Sequence, residues 1–191
     1  PAADGRPGHR RALVASVASP WGPWPFLSTH LDHRFDASAA RRVQLHRVLE
    51  LVVAHRGDPE RDLPVVLGGD LNAVPDSDEI RMVTGRAAGG PGGIVLSDRW
   101  EQVGEGSWIT WRRDNPYVGD SAWPDRRIDY LMVSWPRPKP VGNPVRAWLA
   151  GDRPETVTDD DGSTRAVWPS DHIAVAAELR TPDGVDTSAA P

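Results

Sequence analysis

Short apolar runs separated by glycine, proline and acidic clusters dominate the 191-residue chain, which is the pattern of short elements joined by many turns. Segments 11–17 (RALVASV) and 26–31 (FLSTHL) predict two strands, with Trp21-Gly22-Pro23-Trp24-Pro25 as the turn between them. Leu45, Val48, Leu49, Val52 and Val53 recur at helical spacing, which predicts a helix capped by Asp36 or Ser38, running to about His55 and stopped by Gly57. Leu63 to Leu67 is a continuous apolar run before Gly68-Gly69, as in a buried strand. Asp76 with Glu79 predicts a capping box for a short helix ending near Val83, and 86–93 (RAAGGPGG) a flexible loop. Segments 128–134 (IDYLMVS) and 173–179 (IAVAAEL) complete the predicted strands. Strand–helix–strand–helix followed by further strands is an α/β (α+β) layered architecture.

Composition narrows the class. Eighteen glycines and 19 prolines favour sheets and loops over a helical bundle, and no apolar run approaches the length of a membrane span. With no cysteine, disulfides, thiolate metal sites and cysteine nucleophiles are excluded, and the compartment, cytoplasmic or secreted, stays open. The net charge of −5 and a single lysine, Lys139, argue against tight electrostatic gripping of double-stranded DNA.

Polar residues of one character fall at the ends of the predicted strands: His30, Asp70 with Asn72, Asp129, and Asp171 with His172. Such ends are rigid supports from which side chains converge. Carboxylates, imidazoles and an amide suit a hard cation, Mg²⁺ or Mn²⁺, with a water activated beside it. Each feature also has an ordinary reading. Gly-Asp-x-Asn is common turn chemistry, as is Pro-Ser-Asp before His172. His30 can be a core histidine, and Asp129 can pair with Arg126, with Arg127 or with a histidine. His9, His33, His46 and His55 read as surface or helix positions. Of the nine tryptophans, Trp100, Trp108, Trp111 and Trp135 fit core or sheet-edge positions. Trp21 and Trp24 form the best exposed pair, and a sugar- or protein-binding role for them is a weaker alternative.

Taken in order, Ser28-Thr29-His30-Leu31-Asp32, Gly69-Asp70-Leu71-Asn72, Arg127-Ile128-Asp129-Tyr130 and Ser170-Asp171-His172 resemble the endonuclease/exonuclease/phosphatase superfamily. Arg41-x-x-Gln44 and Asp114-Asn115-Pro116 add to the likeness. The resemblance implies a deoxyribonuclease I-like β-sandwich with outer helices over 11–180, between a polar leader (1–10) and a disordered tail (181–191). It implies a metal-dependent hydrolase of phosphodiesters or phosphomonoesters. Asp70 would orient or deprotonate the attacking water, Asn72 hydrogen-bond the phosphate or that water, and His172, paired with Asp129, contact the scissile phosphate. His30 would stabilise the phosphate or leaving group, and Asp171 would serve the metal site together with Asp70 and Asn72.

Superfamily members also carry an early strand with an asparagine and then a metal-binding glutamate, to which nothing here corresponds. Glu50 follows His30, out of order, and Asp4 sits in the polar leader. The expectation is therefore a domain lacking its N-terminal strands, associating through an exposed sheet edge. The competing expectation is a catalytically incomplete or non-catalytic member that needs an upstream segment or partner. The substrate, whether nucleic acid, inositol phosphate, phospholipid or small molecule, is left open by these motifs.

Overall fold

Two strands open the described chain, β1 (Ala12–Ser19) and β2 (Gly22–His30), antiparallel and in register from Ser19↔Gly22 to Ala12↔Thr29. A computed structural model describes residues 10–59, 61–119, 122–134 and 141–183. Residues 1–9 of the leader expected over 1–10, residues 184–191 of the tail expected over 181–191, and Trp135 lie outside the described residues. The hairpin turns at Pro20 and Trp21, so of the expected Trp21–Pro25 turn only Trp21 lies in it, and Gly22–Pro25 are the first half of β2. Pro23 and Pro25 precede the Phe26–His30 stretch that pairs with β3 (Val66–Asp70), so their missing N–H groups leave that ladder intact.

Helix α1 (Ser38–His55) follows β2. Its N-cap is Ala37 with no side-chain bond, so neither Asp36 nor Ser38 caps it. The expected periodicity buries Leu45, Val48, Leu49 and Val52, whereas Val53 is exposed. After β3 come α2 (Asp78–Val83), a 3-10 turn at Pro91–Gly93, β4 (Leu96–Asp98), α3 (Arg99–Val103) and β5 (Asp129–Ser134). Strands β6 (Pro144–Ala150), β7 (Glu155–Thr158), β8 (Thr164–Val167) and β9 (Ala174–Leu179) complete the described chain.

The main sheet has the order β1-β2-β3-β5-β4, with β2 and β3 parallel and the other pairs antiparallel. Leu27, Leu67 and Met132 form one cross-strand row on the face covered by Leu45, Leu49 and Val52 of α1 and Ile80 and Val83 of α2. The opposite face, with Phe26, Val66 and Leu131, lies toward β9 of the β6–β9 pair. β7 and β8 form a separate hairpin. Among the described residues strand β1 is an edge, and Leu13 and Val17 on it are exposed. Among the described residues no helix is long and apolar enough to cross a membrane.

Glu79 does not cap α2. Its side chain is fully buried and accepts from Arg41 Nε of α1 at 2.8 Å, joining the two helices across the face of the sheet. The Nη1 of Arg41 also donates to the carbonyls of Asp32 and Arg34, and Gln44 accepts from the Asp32 amide. This explains the Arg41-x-x-Gln44 spacing: one turn of α1 ties down the loop leaving His30. Removing one partner of a buried ion pair leaves the other charge uncompensated, at a cost of about 3–5 kcal/mol. Arg41→Met is therefore expected to destabilise the chain by about that amount in urea unfolding, and Arg41→Met with Glu79→Leu to recover much of it. A single variant within about 1 kcal/mol of the parent would show that the pair is not what joins the helices.

Candidate active site

The register of the main sheet puts chemistry at one of its ends. His30, the last residue of β2, is level with Asp70, the last of β3, and Asp70 is level with Asp129, the first of β5. Three side chains from three strands thus form one row. Gly69 makes the approach feasible: it adopts φ +143°, and a Cβ there would collide with the Thr29 carbonyl oxygen of β2.

The chain then leaves β3 through a fixed loop. The Leu71 amide donates to the Ile128 carbonyl at 2.8 Å, and the Tyr130 hydroxyl donates to the Ala73 carbonyl at 2.7 Å. Between these anchors Asn72 takes φ +49°, the only non-glycine residue with positive φ among those described. Asparagine tolerates that conformation better than most residues. It lets the Asn72 amide donate to Asp70 Oδ1 at 2.8 Å while Nδ2 donates to Asp70 Oδ2 at 3.1 Å and to the Leu31 carbonyl at 3.2 Å.

His172 reaches the row from the loop before β9. Its Nδ1 donates to Asp129 Oδ2 at 2.8 Å, and its Nε2 lies 3.9 Å from Asp70 Oδ2, on which His30 Nε2 also converges at 3.3 Å. Arg126 and Arg127 do not pair with Asp129. Arg127 is buried against Asp98, and Arg126 lies over aromatic rings. Two residues hold the loop. Asn115, almost wholly buried, donates from Nδ2 to the Ser170 carbonyl at 2.7 Å. Thr110, fully buried, accepts the Ile128 and Asp129 amides on Oγ1, and its carbonyl accepts the Ile173 amide at 2.8 Å. Thr110 therefore clamps the residues that follow or carry both halves of the Asp129–His172 pair.

His30, Asp70, Asn72, Asp129 and His172 are thus brought together. Ligand atoms of Asp70, Asp129 and His172 all lie within 4.8 Å of one another. Asp171 lies outside this trio: it is exposed, and its Oδ1 accepts from Ser170 Oγ at 3.2 Å. Thr110 is not legible in the sequence as a site residue, and Asn115 is so only as part of a likeness. A buried threonine or asparagine leaves no pattern in the sequence until its partners are known.

Burial first, and then the like charge of Asp129, push the Asp70 carboxyl above the ordinary aspartate range; the Asn72 amide and the two histidines pull it back. The hydrogen bond to Asp129, opposed by burial, raises the His172 imidazole above its ordinary value. A shelf with a partly desolvated carboxylate, a readily protonated imidazole and an amide can meet an anion and activate a water. Two facing carboxylates in oxygen-rich surroundings fit a hard divalent cation, which takes one or two carboxylates and completes its shell with water and substrate oxygens.

The model of the endonuclease/exonuclease/phosphatase family matches residues 4–172. Among solved structures, D. rerio TDP2 humanized by 14 mutations is 25% identical with a TM-score of 0.63, over 90% of this chain and 61% of that one. D. rerio TDP2 complexed with single strand DNA product is 24% identical (TM-score 0.65; 90% and 62%). The Bacteroides thetaiotaomicron mannosyl-6-phosphatase is also 24% identical (TM-score 0.59; 83% and 52%). The chain thus spans about half to three-fifths of these structures' length. No curated protein sequence matches it.

Because the His172 pKa is raised on folding, stabilisation by the Asp129–His172 pair is complete below the ordinary histidine value of 6.5 and is lost as pH rises through the raised value. Asp129→Asn is expected to lower the His172 pKa in an NMR titration and to flatten the pH dependence of stability in that window. An unchanged titration would mean that Asp129 does not hold the imidazole.

Proposed function

The chain belongs to the endonuclease/exonuclease/phosphatase family, and from that premise we propose that it hydrolyses phosphate esters with the aid of a divalent cation, Mg²⁺ or Mn²⁺. The observation that carries the reading is the convergence of Asp70, Asn72 and the Asp129–His172 pair on one open shelf.

Asp70 is the residue to orient and deprotonate the attacking water. Its two oxygens are held by Asn72, and burial raises its basicity. Asn72 has the only side-chain amide in the cluster and can turn a donor toward water or phosphate. His172, held by Asp129 and kept protonated to higher pH than an ordinary histidine, places positive charge and an Nε2 donor where negative charge grows on the phosphoryl oxygens. His30, more than half exposed beside Asp70, faces the phosphate or the departing oxygen. Asp70 would hold the cation, with Asn72 and with Asp171 adding oxygen and charge from the rim. Bound there, the cation supplies charge neutralisation and lowers the pKa of a coordinated water.

A second reading is favoured by the crowding of the carboxylates. Asp129 is engaged by His172, and both Asp70 oxygens already accept from Asn72. In that reading these residues hold a cation weakly, and further oxygen ligands come from a longer chain or a partner. The exposed β1 edge offers such a strand, or a second copy, a place to add.

A panel of phosphodiesters, phosphomonoesters, plasmid DNA and phospholipids, assayed with Mg²⁺ and Mn²⁺, tests both readings. Hydrolysis is expected to stop on chelation and to fall by about 10²–10⁴-fold in Asp70→Asn and in His172→Ala. Turnover that survives both substitutions would overturn the proposed roles. Cation binding without turnover of any ester would favour the second reading.

A further inference from the structure

Beside the catalytic row, two loops bring together a group that the phosphoryl chemistry does not need. Phe35, in the loop after β2, stacks on Trp123, in the segment before β5, with ring centroids 4.0 Å apart and planes inclined by 24°. Both rings face solvent, Phe35 with 49% and Trp123 with 40% of its surface accessible. Arg126 lies against them: its guanidinium carbon is 5.0 Å from the Phe35 centroid, 5.6 Å from that of Trp123 and 4.6 Å from that of Trp111.

Arg126 makes no ion pair among the described residues, and its Nε is buried without a hydrogen-bond partner. An arginine held by π faces and not by a carboxylate keeps its charge available to an anion. Its place is fixed by the backbone: its amide donates to the Trp111 carbonyl, and its own carbonyl accepts the Thr110 amide, three residues before Asp129. Burial lowers its pKa, and the Asp70 carboxylate of the row is near enough to oppose that shift. The same loop begins at His30 and is tied down by Arg41. The platform and the row are therefore carried by the same tethered segments, the loop after His30 and the stretch leading into Asp129.

Phe35 and Trp123 are exposed side by side and so make a contiguous apolar patch, the kind of surface that marks a ligand or partner site. A stacked aromatic pair with an open side offers a flat ring dispersion and quadrupole contact, and the neighbouring guanidinium attracts the phosphate attached to it. Building on the phosphoesterase reading above, we propose that Phe35, Trp123 and Arg126 form a subsite for a planar aromatic ring carried by the phosphate ester, so that the favoured substrates are ring-bearing esters. A nucleobase and a simple aryl group are the two sources of such a ring. Phe35 and Trp123 stack on the ring, and Arg126 contacts a phosphate oxygen on the side facing Asp70.

The test measures equilibrium binding, by calorimetry with Mg²⁺ present, of thymidine 5′-phosphate, benzyl phosphate and ribose 5-phosphate to the full chain carrying His172→Ala, in which hydrolysis does not compete with binding. These ligands share a phosphate and differ in the ring. The two ring-bearing ligands are expected to bind about tenfold more tightly than ribose 5-phosphate. Trp123→Ala and, separately, Phe35→Ala should each reduce that ratio toward one, while Trp123→Tyr retains it. Tight binding of thymidine 5′-phosphate alone assigns the subsite to a nucleobase; equal gains for both ring-bearing ligands assign it to any flat ring. Equal binding of all three ligands, absence of binding by all three, or a ratio unmoved by both alanine variants would overturn the proposal. Failure of every ester to turn over with the unsubstituted chain would instead overturn the phosphoesterase reading, and it leaves the ring dependence of binding to be judged on its own.

Discussion

Two carboxylates in the same register at neighbouring strand ends set the terms for the rest of this molecule. Asp70 and Asp129 sit level with one another, and the burial of Asp70, followed by the like charge of Asp129, raises the proton affinity of Asp70. Such a pair persists only if surrounding groups supply positive charge or donors. His172 supplies charge to Asp129, Asn72 supplies one donor to each Asp70 oxygen, and His30 and His172 converge on Oδ2 as well. A divalent cation is the natural further counter-charge, which is why the same constraint that organises the fold also points to its chemistry.

The groups that hold this arrangement lie one layer further out and are mostly buried. Gly69 lets β2 and β3 approach closely enough to align His30 with Asp70. Arg41 and Glu79 lock α1, α2 and the loop after His30 together. Thr110 and Asn115 bring the loop before β9 to the end of β5, and the buried Arg127–Asp98 pair anchors the residues just before Asp129. A site assembled from strand ends and tethered loops keeps its geometry without a ligand, which reduces the reorganisation needed when charge develops.

Much of this was legible in the sequence where the information is local. The helical spacing of Leu45, Val48, Leu49 and Val52, the run into Gly68-Gly69 and the isolated Asp129 in an apolar strand each reflect a periodicity or a break in one. The short motifs around His30, Asp70, Asp129 and His172 marked strand ends that do meet. What stayed hidden depends on partners far along the chain. Glu79 looked like a capping residue because its partner Arg41 lies 38 positions away, and Trp21-Gly22-Pro23-Trp24-Pro25 looked like a turn because the absence of a β3 partner beside Pro23 and Pro25 is a property of the sheet. For the same reason the expected exposed pair, Trp21 and Trp24, is half-buried, with Trp24 Nε1 donating to the Pro64 carbonyl, while Trp108, Trp123 and Trp148 face solvent.

The central claim is that this end of the main sheet is a built site for a hard cation and a phosphoryl group. The most direct measurement is anomalous diffraction from crystals of the full chain soaked with Mn²⁺ and inorganic phosphate. The account predicts a manganese peak within coordination distance of an Asp70 carboxylate oxygen, with a phosphate oxygen in hydrogen-bond reach of Asn72 Nδ2 or His172 Nε2. Manganese bound elsewhere on the chain, with phosphate absent from the Asp70–Asn72–His172 shelf, would contradict it.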